Sequence, residues 1–255
     1  MNGVLLEAAA LDKSYGRIRV LRDVSLTIGA GESHVVIGPN GAGKTTLFKV
    51  LTGELYADRG AVRFDGRDVT RLPAHQRVHL GFGRTFQVAK VFPKLNVQDN
   101  LLVALEARVR RANPLGRVSK AQAAAFPGAI EALLTDTGFG PQREAIAGTL
   151  AYGDRKRLEM AMVLALEPAV MFLDEPTAGM SASERQATVQ LLQSVKRKRG
   201  LSMLMTEHDM AVVFGLADRI SVLHYGQLIA TGTPDEIRQN ERVKEVYLGD
   251  GDAHA

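Results

Sequence analysis

The 255-residue chain contains no cysteine, which excludes disulfides and thiolate metal sites and fits a reducing compartment. Long hydrophobic runs are also missing. "MAMVLAL", Met160 to Leu166, is closed by a glutamate on each side and falls far short of the roughly 20 residues a membrane-spanning helix needs. The opening stretch, "MNGVLLEAAALDKSYG", lacks a basic start, a long apolar segment and a small-residue cleavage site, so export by a signal peptide is not expected. No internal repeat and no sustained heptad pattern is present.

What is present is ordinary for a globular chain: 45% apolar and 24% charged residues, in a length that suits one large domain or a domain with an insert. The net charge of +4 permits an acidic partner without choosing one. The densest basic run, "KRKR" at Lys196 to Arg199, precedes Gly200 at the end of an expected helix, where positive charge offsets the helix dipole. That reading is preferred to nucleic-acid contact, since a basic run alone carries little information.

Strands are expected near Leu5 to Leu11 and Val24 to Ile28, and "AVRFDGRDV" reads as a hairpin turning at Asp65 and Gly66. His34 to Ile37, Ala169 to Leu173, Ser202 to Thr206 and Ile220 to His224 are mostly apolar rather than alternating, the pattern of a parallel sheet covered on both faces. Between the two halves, Val97 to about Gly148 is rich in helix formers and is punctuated at Pro114, Gly116, Pro127 and Gly138, which suggests a mostly helical insert. Ser181 and Glu184 have capping-box spacing ahead of a helix with apolar Val189, Leu192 and Val195.

"HVVIGPNGAGKTTLFKVL" places G-x-x-x-x-G-K-T, Gly38 to Thr45, between an apolar strand and a helix. Such a loop turns backbone N–H groups inward around phosphate oxygens, which side chains at Gly41 and Gly43 would obstruct. The helix start adds its positive end, Lys44 a point charge, and the Thr45 hydroxyl a magnesium ligand. "AVMFLDEP" ends another apolar strand in Asp174, placing it at the carboxyl edge of the sheet, with Glu175 next. "LMTEHDM" delivers His208 to the same edge, while Gln87 of "GRTFQ" is uninterpretable alone. "TLAYGDRKRLEMA" starts another helix, with Leu158, Ala161, Met162 and Ala165 on one face.

The order Tyr15, "GPNGAGKTT", Gln87, "LAYGD", "FLDEP" and His208 resembles the ATP-binding subunits of ABC transporters over essentially the whole chain. The resemblance implies an α/β P-loop cassette with a mostly parallel core sheet, an antiparallel β subdomain and a helical subdomain. It implies one ATP-binding domain over residues 1–255, the helical part inserted at about 97–165. ATP and Mg2+ are the implied ligands. Nucleotide would lie on Tyr15, stacked on adenine, and on Gly38, Pro39, Asn40, Gly41, Ala42, Gly43, Lys44, Thr45 and Thr46. Thr45, Gln87 and Asp174 would serve the metal, Glu175 would orient or deprotonate the attacking water, and His208 would contact the terminal phosphate. Leu150, Ala151, Tyr152, Gly153 and Asp154 stand where Leu-Ser-Gly-Gly-Gln is usual, and would act on the nucleotide of a second subunit facing head to tail. Ala151 removes the usual hydroxyl, Tyr152 replaces a glycine, and Ser181 stands where aspartate is common.

"RTFQ", "LAYGDRKRLE", "PTAGMS" and "VKEVYLGD" look like the branch serving importers of branched-chain amino acids and related amides such as urea. The implied partners are a second ATPase subunit, identical or sister, two membrane-spanning permease subunits, and indirectly an extracytoplasmic solute-binding protein. The implied location is peripheral, on the cytoplasmic face of the inner (plasma) membrane. Val91, Phe92 and Leu95 are either a permease-facing surface or core. An exporter of lipid or polysaccharide is the alternative. A soluble ATPase acting on ribosomes or DNA fits less well, because such proteins usually carry two cassettes or a long coiled coil, and no nucleic acid is expected.

Overall fold

The computed structural model describes residues 3–112 and 117–249. Pro114 and Gly116, read above as breaks, lie outside them. The chain opens with the antiparallel strands β1 (Val4–Tyr15) and β2 (Ile18–Gly29). Leu6, Ala8 and Leu11 of one, and Leu21, Val24, Leu26 and Ile28 of the other, are buried, giving the pair one inner face. Next, β3 (Ser33–Ile37), buried at every position, leads through the phosphate loop into α1 (Lys44–Thr52). The hairpin of β4 (Arg59–Phe64) and β5 (Arg67–Asp68) turns at Asp65 and Gly66, both left-handed with φ 48° and 72° as a two-residue turn of this kind requires. These strands form an antiparallel sheet in the order β2-β1-β4-β5.

The short α2 (Ala74–His79) and β6 (Phe82–Arg84) lead to three helices that pack together: α3 (Val97–Ala112), α4 (Lys120–Thr137) and α5 (Tyr152–Ala165). Then follow β7 (Val170–Asp174), α6 (Ala182–Arg199), β8 (Ser202–Thr206), α7 (Met210–Leu216), β9 (Arg219–His224), β10 (Gln227–Gly232), α8 (Pro234–Gln239) and α9 (Glu241–Gly249). The second sheet runs β10-β9-β3-β8-β7-β6, parallel at every pairing except β10 with β9. This is the α/β cassette with mixed sheets expected above.

Successive residues of β3 point to opposite faces: Val35 enters a core shared with α3, α4 and α5, and Val36 one shared with α1 and the antiparallel sheet. A chain of rings runs through the second core. Phe48 meets Phe172 edge-on at 6.0 Å, Phe172 stacks on Phe82 at 5.4 Å, and Phe82 reaches Phe64 at 4.5 Å, so α1, β7, β6 and β4 are joined by aromatic contacts.

One expected break is absent: Pro127 lies inside α4. The missing N–H costs one helix bond. It is offset by a capping box at Ser119 and Gln122, a left-handed Gly138 closing the helix, and a face that buries Phe126, Ile130, Leu133 and Leu134. The capping box at Ser181 and Glu184 forms as read. Most of the basic run on α6 is paired: Lys198 and Arg199 hold Asp136 of α4 at 2.7 and 2.9 Å, and Lys196 pairs with Asp218.

Arg77, on α2, is fully buried and gives its guanidinium to backbone carbonyls: Leu72 and Thr70 on its own side, Val50 and Leu51 at the end of α1. Burial lowers its pKa to about 10, so it is charged at neutral pH. Arg77→Met should destabilise the fold by roughly 2–4 kcal/mol, because buried carbonyls lose their donor. Urea melts read this directly, and an unchanged midpoint would show that the carbonyls find other donors.

Candidate nucleotide site

Because β3, β7 and β8 are parallel neighbours, their carboxyl ends share one edge of the sheet. Ligands bind at this edge in open α/β folds. From β3 the chain enters the loop at Gly38, where a Cβ would lie 2.0 Å from the Leu223 carbonyl oxygen; only glycine permits that approach. Gly43, at the start of α1, has φ 108°, and a Cβ there would press on the Val20 carbonyl of β2 at 2.9 Å. The hairpin carrying Tyr15 at its exposed tip therefore lies against the loop. Asn40, Gly41 and Thr45 are exposed, Pro39, Gly43 and Thr46 half-buried, and Ala42 buried.

Lys44 is buried, and its Nζ donates to the carbonyls of Gly38 at 2.6 Å and Pro39 at 3.0 Å. Burial lowers its pKa, opposed by the charges of Glu175 and Asp174. Asp174 ends β7, and its Oδ1 accepts the Thr206 hydroxyl of β8 at 2.8 Å. Glu175 turns sharply, with φ 48°, and its N–H is bonded to Thr206. Its carboxylate meets His208 Nε2 at 3.0 Å. Lys44, Asp174, Glu175 and His208, which come from three separate stretches of sequence, thus form one group.

Neighbours that the sequence did not single out hold this group in place. Glu207 is buried and accepts from the N–H of Thr177 and, closer still, from its hydroxyl; its other oxygen takes the N–H groups of His208 and Asp209. The segment after Glu175 is therefore tied to the segment bearing His208. Arg84 of β6 lies 3.9 Å from Asp174 and pairs with Glu54. The only sequence signal was a charged residue beside a motif residue.

Gln87 and the start of α5 lie apart from these contacts. Gln87 is exposed, and its carbonyl accepts the Tyr152 hydroxyl at 3.3 Å. Leu150 is buried, and Ala151 sits at the N-cap of α5, where its side chain caps nothing. Instead the Glu184 carboxylate lies against Gly153, where an added Cβ would come within 2.5 Å of its Oε1, and its pKa is held down by the Ser181 hydroxyl and N–H and then by the Gly153 N–H. Asp154 pairs with Arg157 at 2.8 Å. Leu158, Ala161 and Ala165 are buried and Met162 packs partly against the same core.

A mostly parallel sheet whose central strand opens into a glycine-lined phosphate loop, with a second strand, one removed from it, running into two carboxylates at the same edge, defines a P-loop ATPase. Residues 21–178 match the ABC transporter family model, and residues 227–253 match the model of the branched-chain amino acid ATP-binding cassette transporter. The chain belongs to the ATP-binding subunits of ABC transporters, which bind and hydrolyse ATP. It is 37% identical over 246 residues to the lipopolysaccharide export system ATP-binding protein LptB of Acidithiobacillus ferridurans, covering 96% of this chain and 97% of that one. It is 34% identical over 257 residues to the high-affinity branched-chain amino acid transport ATP-binding protein BraF of Pseudomonas aeruginosa, covering 98% and 100%. The ADP conformation of an ATP-binding cassette of an ABC transporter superposes with TM-score 0.83 at 28% identity, over 97% of this chain and 99% of that one. Among the described residues, no helix is long and apolar enough to cross a membrane.

Proposed function

We propose that this chain powers an importer of branched-chain amino acids or related amides such as urea, bound peripherally to two permease subunits on the cytoplasmic face of the membrane. One observation carries the choice of branch: the match of residues 227–253 to the branched-chain amino acid cassette model. BraF, named above, and LivG of Salmonella typhimurium, 35% identical over 255 residues, support it. The similarity to LptB at 37% identity favours lipopolysaccharide export as the second reading. We infer a single ATP-binding unit over 1–255, with the helical part at about 97–165 inserted in it.

In this reading ATP lies on Gly38 to Thr46 with Tyr15 beside the adenine, and Lys44 turns from its own loop carbonyls to the terminal phosphates. The hard oxygen donors of Thr45, Asp174 and Gln87 suit Mg2+, which keeps few protein ligands and shares the phosphates. When bound, the ion would neutralise charge on the phosphates. Glu175 receives the proton of the attacking water, and His208, hydrogen-bonded to it, holds that carboxylate and faces the terminal phosphate. The barrier falls mainly through positioning and charge.

The start of α5 serves the nucleotide of a second subunit, another copy or a sister chain. Gly153 lies against Glu184, apart from the group around Lys44, which supports that assignment. ATP then joins two subunits and hydrolysis parts them. Between the Gln87 loop and the start of α5 lies a groove of about 310 Å³ lined by Val88, Ala89, Val91, Pro93, Tyr152 and Arg155. With exposed Phe92 beside it, this groove suits a permease loop.

The test is ATPase activity of the native complex, reconstituted with its permeases and binding protein. Stimulation by a branched-chain amino acid or urea is the expected result. Stimulation by lipopolysaccharide alone would establish the second reading, and a response to neither would overturn both.

A further inference from the structure

Two buried charges on α5 have no part in the chemistry described above. Lys156 and Glu159 are each 2% exposed. Lys156 Nζ donates to the Phe86 carbonyl at 2.8 Å, while Glu159 Oε1 accepts the N–H of Phe86 at 3.2 Å and of Lys90 at 2.9 Å. One turn earlier, the Tyr152 hydroxyl donates to the Gln87 carbonyl. Positions 152, 156 and 159 share one helix face, and that face holds by its backbone a segment that is neither helix nor strand.

The energetics make this arrangement informative. Taking an ammonium and a carboxylate out of water costs several kcal/mol each, and an apolar pair would fill the same space without that cost. Burial pushes the Glu159 carboxyl up, opposed by the Lys90 and Phe86 N–H groups and by Lys156, and it lowers Lys156. The second oxygen of Glu159 is buried without a hydrogen-bond partner. The polar atoms that do bond are directed at Phe86 and Lys90, one residue before Gln87 and three after it. Two charges kept at such a cost to fix five residues of loop indicate that the loop's position relative to α5 matters.

We propose that Lys156 and Glu159 are positioning residues that latch the Gln87 loop to α5, so that loop and helix start move as one body. The inference rests on the reading of Gln87 and Gly153 under Proposed function: the loop serves the subunit's own metal and nucleotide, and the helix start serves those of its neighbour. A rigid link between them makes occupancy of one site set the geometry of the other. The latch is therefore a source of cooperativity between the two ATP sites.

The experiment uses the assembled transporter carrying Glu159→Leu, Lys156→Met, Glu159→Gln or Gln87→Ala. For the first two, ATP affinity of the subunit should stay within about twofold while kcat falls about tenfold to a hundredfold. The Hill coefficient for ATP should fall toward about one. Amide exchange should quicken at 86–90 and stay slow in the interior of α5. Glu159→Gln keeps the acceptor oxygen and should recover the loop's protection and most of the cooperativity. Glu159→Leu or Lys156→Met with lowered kcat but an unchanged Hill coefficient would show a merely structural role and overturn the latch, as would unchanged exchange at 86–90. Gln87→Ala separates the two levels. If it leaves kcat and cooperativity intact, the reading of Gln87 is wrong and the latch falls with it; if it acts while the α5 variants do not, only the latch is wrong.

Discussion

Glu175→Gln should lower turnover by roughly 10²–10⁴-fold, the usual worth of a positioned general base, while ATP affinity holds or rises. The amide has the shape of the carboxylate and can keep a hydrogen bond to His208, which lies 3.0 Å away. The backbone turn is set by bonds from the Glu175 N–H to Thr206, which the change does not touch. One negative charge is removed beside the place where the terminal phosphate would lie, so the ground state is not weakened. A loss in kcat without a loss in binding marks a group that acts in the transition state alone. Single-turnover hydrolysis and equilibrium binding of ATP measure the two halves, and hydrolysis at the parent rate would remove Glu175 from the role of base.

Lys44→Met should do the opposite and weaken ATP binding by at least about a hundredfold, since each charge-assisted hydrogen bond lost at a buried site is worth about 1.5–3 kcal/mol. The methionine stem fills the space of the lysine, so α1 should form as before. What disappears is the ammonium that now sits on the carbonyls of Gly38 and Pro39, facing the charges of Asp174 and Glu175. Without it those two carboxylates repel a triphosphate with no cation between. Titration with a fluorescent ATP analogue reads the change, and affinity equal to the parent's would mean that the nucleotide does not lie on this loop.

The parts of the molecule legible in the sequence were those written locally. The phosphate loop shows because glycines, lysine and threonine sit within one strand, loop and helix start. The central strands show because both faces are covered and the runs are unbroken. The edge strands were missed: β6 has three residues, and β10 follows a Tyr225-Gly226 turn whose left-handed φ values of 44° and 78° carry no Asn-Gly or Asp-Gly signal. Pro127 misled because a local rule against proline inside helices was overridden by the buried face of α4. Glu207, Lys156, Glu159 and Arg77 act through backbone groups 26 to 73 residues away, or through a neighbouring segment bound to a distant one, and Glu184 lies against the distant Gly153. No spacing rule reaches that far. Phe92 and Val91, undecided from the sequence, divide: Phe92 is exposed and Val91 packs partly on the core.

The central claim is that each nucleotide is closed in by two subunits. It is tested most directly by placing a photoreactive benzoylphenylalanine at Ala151, an exposed position at the start of α5, in the assembled Glu175→Gln transporter. With Mg-ATP, illumination should join this residue to the phosphate loop of a second ATPase subunit, identified by peptide mass spectrometry, and without nucleotide the product should fade. Attachment only within its own chain while ATP is bound at saturation would contradict the shared site.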